Sequence, residues 1–142
     1  MKQFILSTIL FSLISCGGGG GSRSDVPFFG GIWVGQLSLV KDTCEVQPLR
    51  VDIRDTVNQV DTEIVLNDAN KTYSGVVEGT DGFVVFGQTN GTVCQLSDFY
   101  RYSNIKDNFA DVEWSGVADC DAGSGLSRCE FSYIGTATRI ES

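Results

Sequence analysis

The sequence predicts an all-β fold: a small antiparallel up-and-down barrel of about eight strands, stapled by disulfides and preceded by a flexible tether. Three observations carry this. From Phe28 onward apolar and polar residues alternate without helical spacing, β-branched and aromatic side chains come in short runs, and clusters of Gly, Asn and Asp separate those runs. Residues 28–142 are enough for one domain with its own core, so folding requires no cofactor.

The chain opens with Met1 and Lys2, a short positive start, followed by an apolar stretch from Phe4 to Ile14 that is too short to span a bilayer stably. Leu13-Ile14-Ser15-Cys16 closes that stretch. It resembles the lipobox of bacterial lipoproteins, which signal peptidase II cuts before a cysteine carrying diacylglycerol. The resemblance implies a signal peptide over residues 1–15, removed in the mature protein, and covalent diacylglycerol and N-acyl lipid at Cys16. Several acyl chains on one residue anchor firmly where one would not. Gly17 rather than Asp follows the cysteine, which in the lipoproteins this resembles implies the outer membrane of a Gram-negative cell.

Residues 16–27 read as the tether, since Gly17 to Gly21 and Ser22-Arg23-Ser24-Asp25 contain no apolar side chain. The barrel domain then spans 28–142. Strands are expected near 31–40, 46–54, 57–66, 71–79, 82–88, 92–103, 109–119 and 128–140. Asp68-Ala69-Asn70, Asp81-Gly82 and Asn90-Gly91 carry turn chemistry and favour successive hairpins. Alternation assigns Trp33, Leu37, Leu39, Val60, Ile64, Leu66, Val112 and Trp114 to the interior. The opposite face of the first strand, Ile32, Val34 and Val40, is also apolar, and the Phe28-Phe29 segment is expected to cover it.

Cys44, Cys94, Cys120 and Cys129 are an even set in an exported chain, which reads as two disulfides. Of the three pairings, Cys120 with Cys129 and Cys44 with Cys94 is the expected one, because the former closes the loop between the last two strands. A zinc site is the alternative use of these thiols, but no Cys-x-x-Cys pair is present.

Gly31-Ile32-Trp33 opens the first strand and Arg139 lies on the last. This resembles the calycins, the lipocalins and avidins, whose barrels begin with Gly-x-Trp and set a basic side chain from the final strand across the indole. The resemblance implies that Trp33 and Arg139 close one barrel end. It carries no ligand-binding residue across.

Composition limits the chemistry. The chain has 10 basic and 18 acidic residues, net −8, and loss of Lys2 with the signal segment leaves 9 against 18, or −9. A phosphate backbone would be repelled and a basic partner attracted. With no His, neither Ser-His-Asp nor Cys-His catalysis nor a histidine zinc site is available. Asp111 and Glu113 share one strand face, but paired carboxylates at this spacing are the ordinary signature of a solvated face. Asp119 to Glu130 echoes a calcium loop only superficially, with Gly123 and Ser124 at positions that call for a ligand and a glycine. In Phe99-Tyr100-Arg101-Tyr102 the two tyrosines fall on one face and Phe99 and Arg101 on the other.

The residues therefore favour a membrane-anchored, non-catalytic binding module with no catalytic residue and no metal site. Its partner is an unidentified small ligand or a basic protein, and nucleic acid is excluded. The rival readings are an inhibitor of a basic hydrolase, such as lysozyme or a secreted protease, and a structural or assembly protein of the envelope. An enzyme would have to draw on Asp111, Glu113 or Asp119.

Overall fold

The computed structural model describes residues 25–45, 47–121 and 127–141. The expected signal peptide, the lipid-bearing Cys16 and most of the tether lie outside them. Eight antiparallel strands close into a barrel in chain order: β1 (Gly31–Asp42), β2 (Arg50–Val60), β3 (Glu63–Asn67), β4 (Thr72–Glu78), β5 (Gly82–Asn90), β6 (Cys94–Lys106), β7 (Phe109–Cys120) and β8 (Cys129–Glu141). Pairing of β1 with both β2 and β8 leaves no edge strand open to aggregation.

Inward side chains follow the two-residue period along each strand. Trp33, Leu37, Ile53, Val57, Ile64, Leu66, Tyr73, Phe83, Val85, Tyr100, Tyr102, Val112, Phe131 and Tyr133 fill the interior. The barrel is thus a packed core over most of its length.

The hairpin between the second and third strands departs from the sequence expectation. Strands were expected over 46–54 and 57–66, which leaves a break at 55–56. Instead β2 runs on to Val60 and turns at Asp61, which takes a left-handed φ of 53°. Val51, Ile53, Asp55 and Val57 then share the inner face, and Asp55 is fully buried. The same shift leaves Val60, predicted to be core, 71% exposed beside the turn.

The disulfide pairing is also corrected: Cys44 joins Cys129, and Cys94 joins Cys120. Register explains this, since Cys94 lies directly opposite Cys120 on β6 and β7. Asp42 faces Phe131 on β1 and β8, and the backbone hydrogen bond from Thr43 to Glu130 brings Cys44 alongside Cys129. Each bridge therefore ties neighbouring strands, and neither closes the loop between β7 and β8.

The two barrel ends differ. At one end the strands join through tight turns around Asp61, Gly79 and Asp107. The chain enters here, and Phe29 packs inward against Phe83 with ring centroids 5.9 Å apart. Phe29 thus plugs the lumen instead of covering the outer face of β1, while Phe28 is 60% exposed. The opposite end carries the longer β1–β2 and β7–β8 connections and both disulfides.

Candidate functional site

Trp33 and Arg139 sit at the plugged end. They face each other in the β1–β8 register, and the guanidinium lies 5.5 Å from the indole ring. Arg139 also donates to the carbonyls of Phe28, Gly30 and Asp107 and to the Asn108 side chain. The Trp33 Nε1 donates to the Phe29 carbonyl at 3.0 Å. One cation and one indole therefore pin the entering chain to the β6–β7 turn, with a cation–π contribution on the order of 1 kcal/mol. Phe29 and Trp33 are buried at this end.

The open end is shaped by the short hairpin of β3 and β4. These strands have 5 and 7 residues, whereas β2 has 11 and β5 has 9. Asp68 ends the hairpin, its Oδ1 accepting from the backbone of Asn70 and Lys71 at 2.6 and 2.7 Å. As β3 pairs β2 only over Thr56–Val60, and β4 pairs β5 only over Gly82–Phe86, the barrel wall is notched above the hairpin.

The β5 side of the notch is filled. Lys71 and Tyr73 lean over Gly87, where a Cβ would come within 2.5 Å of the lysine stem. Behind them is Asp98, whose side chain is 1% exposed. Lys71 forms an ion pair with it, Tyr73 Oη donates at 2.8 Å and Trp114 Nε1 at 3.0 Å. A buried carboxylate with a cation and two donors is fully compensated.

The β2 side remains open as a cleft of about 230 Å³, lined by Val51–Asp55, the Asp68–Asn70 turn, Tyr100 and Trp114. Asp55 is the second carboxylate enclosed by the barrel, at 0% exposure. Its Oδ2 accepts from Tyr102 Oη at 2.5 Å, and its Oδ1 has no partner among the described residues. Burial raises its pKa to about 6 against the opposing Tyr102 bond, and Asp68 adds to the rise. Burial and the nearby carboxylates also hold the phenols of Tyr73, Tyr100 and Tyr102 well above the usual tyrosine range.

Tyr100, Trp114 and Tyr133 form a continuous aromatic stack across β6, β7 and β8, with centroids 5.5 and 5.2 Å apart and planes 3° and 18° from parallel. Nearer the rim a second space of about 370 Å³ lies between the two disulfides, lined by Leu96, Ala118, Phe131, Gln47 and Arg128. The open end thus pairs an apolar rim with an acidic, aromatic side cleft.

The other sequence candidates lie elsewhere. Asp111 and Glu113 are on the outer wall, the first bonded by Asn104 Nδ2 at 2.7 Å and the second by Ser115 Oγ at 3.0 Å. Asp119 pairs with Arg128 at 3.7 Å and Glu130 with Lys41 at 2.5 Å, both exposed. Most of the calcium-like loop lies outside the described residues, and among the described residues no group of His, Cys, Asp and Glu could hold a metal. Tyr100 and Tyr102 point inward as expected, while Arg101 lies 5.7 Å from the Phe99 ring outside.

Asp55 is the residue that sequence reasoning missed. The signal that could have found it is the alternation of Val51, Ile53 and Val57 through it. No family model, curated protein or solved structure matches the chain.

Proposed function

We propose that this chain is a lipoprotein of the bacterial outer membrane, anchored through Cys16, whose barrel is a non-catalytic binding module for a small ligand at its open end. The observation that carries the reading is the difference between the ends. The chain enters at the plugged end, pinned by Arg139, so a membrane tether pulls on the rigid base and leaves the cleft and rim on the far side. A cavity with a few convergent polar groups beside aromatic walls is the usual form of a small-ligand site.

Native mass spectrometry of the detergent-extracted protein from its own envelope tests this. The expected spectrum shows a polypeptide beginning at Cys16 with its acyl chains and a co-purifying small mass, and a Cys16→Ala control without the lipid mass. An apo spectrum with a stoichiometric protein partner would replace the reading with an inhibitor or assembly role.

The net charge of −8 supports the second reading, inhibition of a basic hydrolase through the loops of the open end. In that case stoichiometric protein slows lysozyme or a basic secreted protease. Unchanged turnover of both removes it.

A further inference from the structure

We propose that the cleft beside Asp55 binds a small primary ammonium compound, with the Asp55 carboxylate as its counter-ion. The inference rests on the reading of the open end as a ligand site and names the class of ligand.

The two enclosed carboxylates supply the argument by contrast. Asp98 is neutralised from within the chain by Lys71 and two further donors. Asp55 is buried as deeply, receives one donor, and leaves Oδ1 unpartnered among the described residues; it is one of the residues that line the cleft. A buried charge without a counter-charge is costly, and a ligand cation relieves that cost. Asp68 lines the cleft and adds its negative charge to that of Asp55. Arg54 lies on the cleft wall too, but on the outer face of β2, and makes no ion pair with Asp55.

Geometry selects the cation. Tyr102 already donates to Oδ2, so a guanidinium fork, whose strength lies in bidentate pairing, would have to share that oxygen with the phenol. A hard metal needs six or more oxygen ligands, and no such set is present among the described residues. A primary ammonium is a compact donor of three hydrogen bonds. It can give one to Asp55 Oδ1 and one to the Tyr100 hydroxyl, which also lines the cleft and makes no hydrogen bond among the described residues. The aromatic faces contribute little, since Tyr100 and Trp114 cover each other. A volume of about 230 Å³ equals roughly seven waters at about 30 Å³ each, room for a short aliphatic amine.

The carboxylate is ionised at neutral pH and takes up a proton near pH 6. The groups facing it are Tyr102 and Tyr100 from β6 and Asp68 from the β3–β4 turn, with Arg54 and Asp52 beside it on β2. Protonation of Asp55 removes the counter-ion, so amine binding weakens as the pH falls below 6.

Titration of the full-length, detergent-solubilised protein with n-butylammonium chloride and with 1-butanol, followed through the backbone amides of β2, tests this. At pH 7.5 the amine is expected to bind saturably and at least tenfold more tightly than the alcohol. Asp55→Asn, which retains an acceptor for Tyr102, is expected to weaken the amine at least tenfold and leave the alcohol unchanged. Equal binding of the two probes overturns the proposal, as does an unaltered affinity in Asp55→Asn. If Asp55→Asn fails to fold, Tyr100→Phe decides: a loss of threefold or more for the amine alone supports the site, and no change overturns it. Absence of saturable amine binding means that the cleft holds only water, which overturns the ammonium site. The broader ligand reading is scored separately, by the co-purifying mass.

Discussion

Asp55 and Asp98 are both enclosed by the barrel and differ mainly in what surrounds them. For Asp55 burial holds the folded pKa at about 6, above its ordinary 3.8, so its contribution to stability is fully present below about pH 4 and is lost as the pH rises through 6. That difference corresponds to about 3 kcal/mol. Exposed Glu130, held below its usual range by Lys41, acts oppositely and only below the ordinary carboxylate range. Denaturant unfolding is therefore expected to show higher stability at pH 5 than at pH 7.5, a trend that Asp55→Asn abolishes while raising stability at pH 7.5. Lys71→Ala removes the cation from Asp98 and is expected to cost about 3–5 kcal/mol, measured in the same assay. Trp33 and Arg139 were expected as a pair only through the resemblance to the calycins, since they lie on the first and last strands and no local pattern joins them. Asp55 and Asp98 were not legible in the sequence, since their partners lie 47 and 27 residues away and no local pattern encodes such a contact.

Six of the eight strands fall where alternation and turn residues place their centres, because a half-buried strand writes its period into the sequence. The β2–β3 boundary did not, and the consequence is large: the longer β2 and shorter β3 create the notch on which the cleft depends. Strand length relative to a neighbour is a property of pairing, which no single segment records. Close approach between strands is equally hidden. At Gly75 a Cβ would stand 1.9 Å from the Val84 carbonyl oxygen, so β4 crosses β5 without room for a side chain. Gly75→Ala is expected to destabilise the barrel by about 1–3 kcal/mol in thermal unfolding. An unchanged Tm would show that β4 does not approach β5 so closely.

For the whole molecule, closure and stapling divide the labour. The plugged end is held by packing and by Arg139, while the open end is held by disulfides spanning 26 and 85 residues. Loop-closure entropy assigns about 3.5 kcal/mol to the Cys94–Cys120 bridge and about 4.6 kcal/mol to Cys44–Cys129. Paired Cys→Ser replacement of Cys44 and Cys129 is thus expected to lower the Tm more than replacement of Cys94 and Cys120. The number of bridges was legible from the even count of cysteines. Their partners were not, since pairing follows strand register, which fixes Cys94 opposite Cys120 only once the barrel has closed.

The central claim, that the open end and not the plugged end receives the ligand, can be read from the two tryptophans of the chain. Trp33 is sealed at the base with its indole N–H on Phe29, and Trp114 borders the cleft with its indole N–H on Asp98. The decisive measurement is an indole ¹H–¹⁵N spectrum of the labelled protein titrated with the low-molecular-mass extract of the source envelope. The account expects the Trp114 resonance to move and the Trp33 resonance to stay. Movement of Trp33 alone, or of neither, would contradict it.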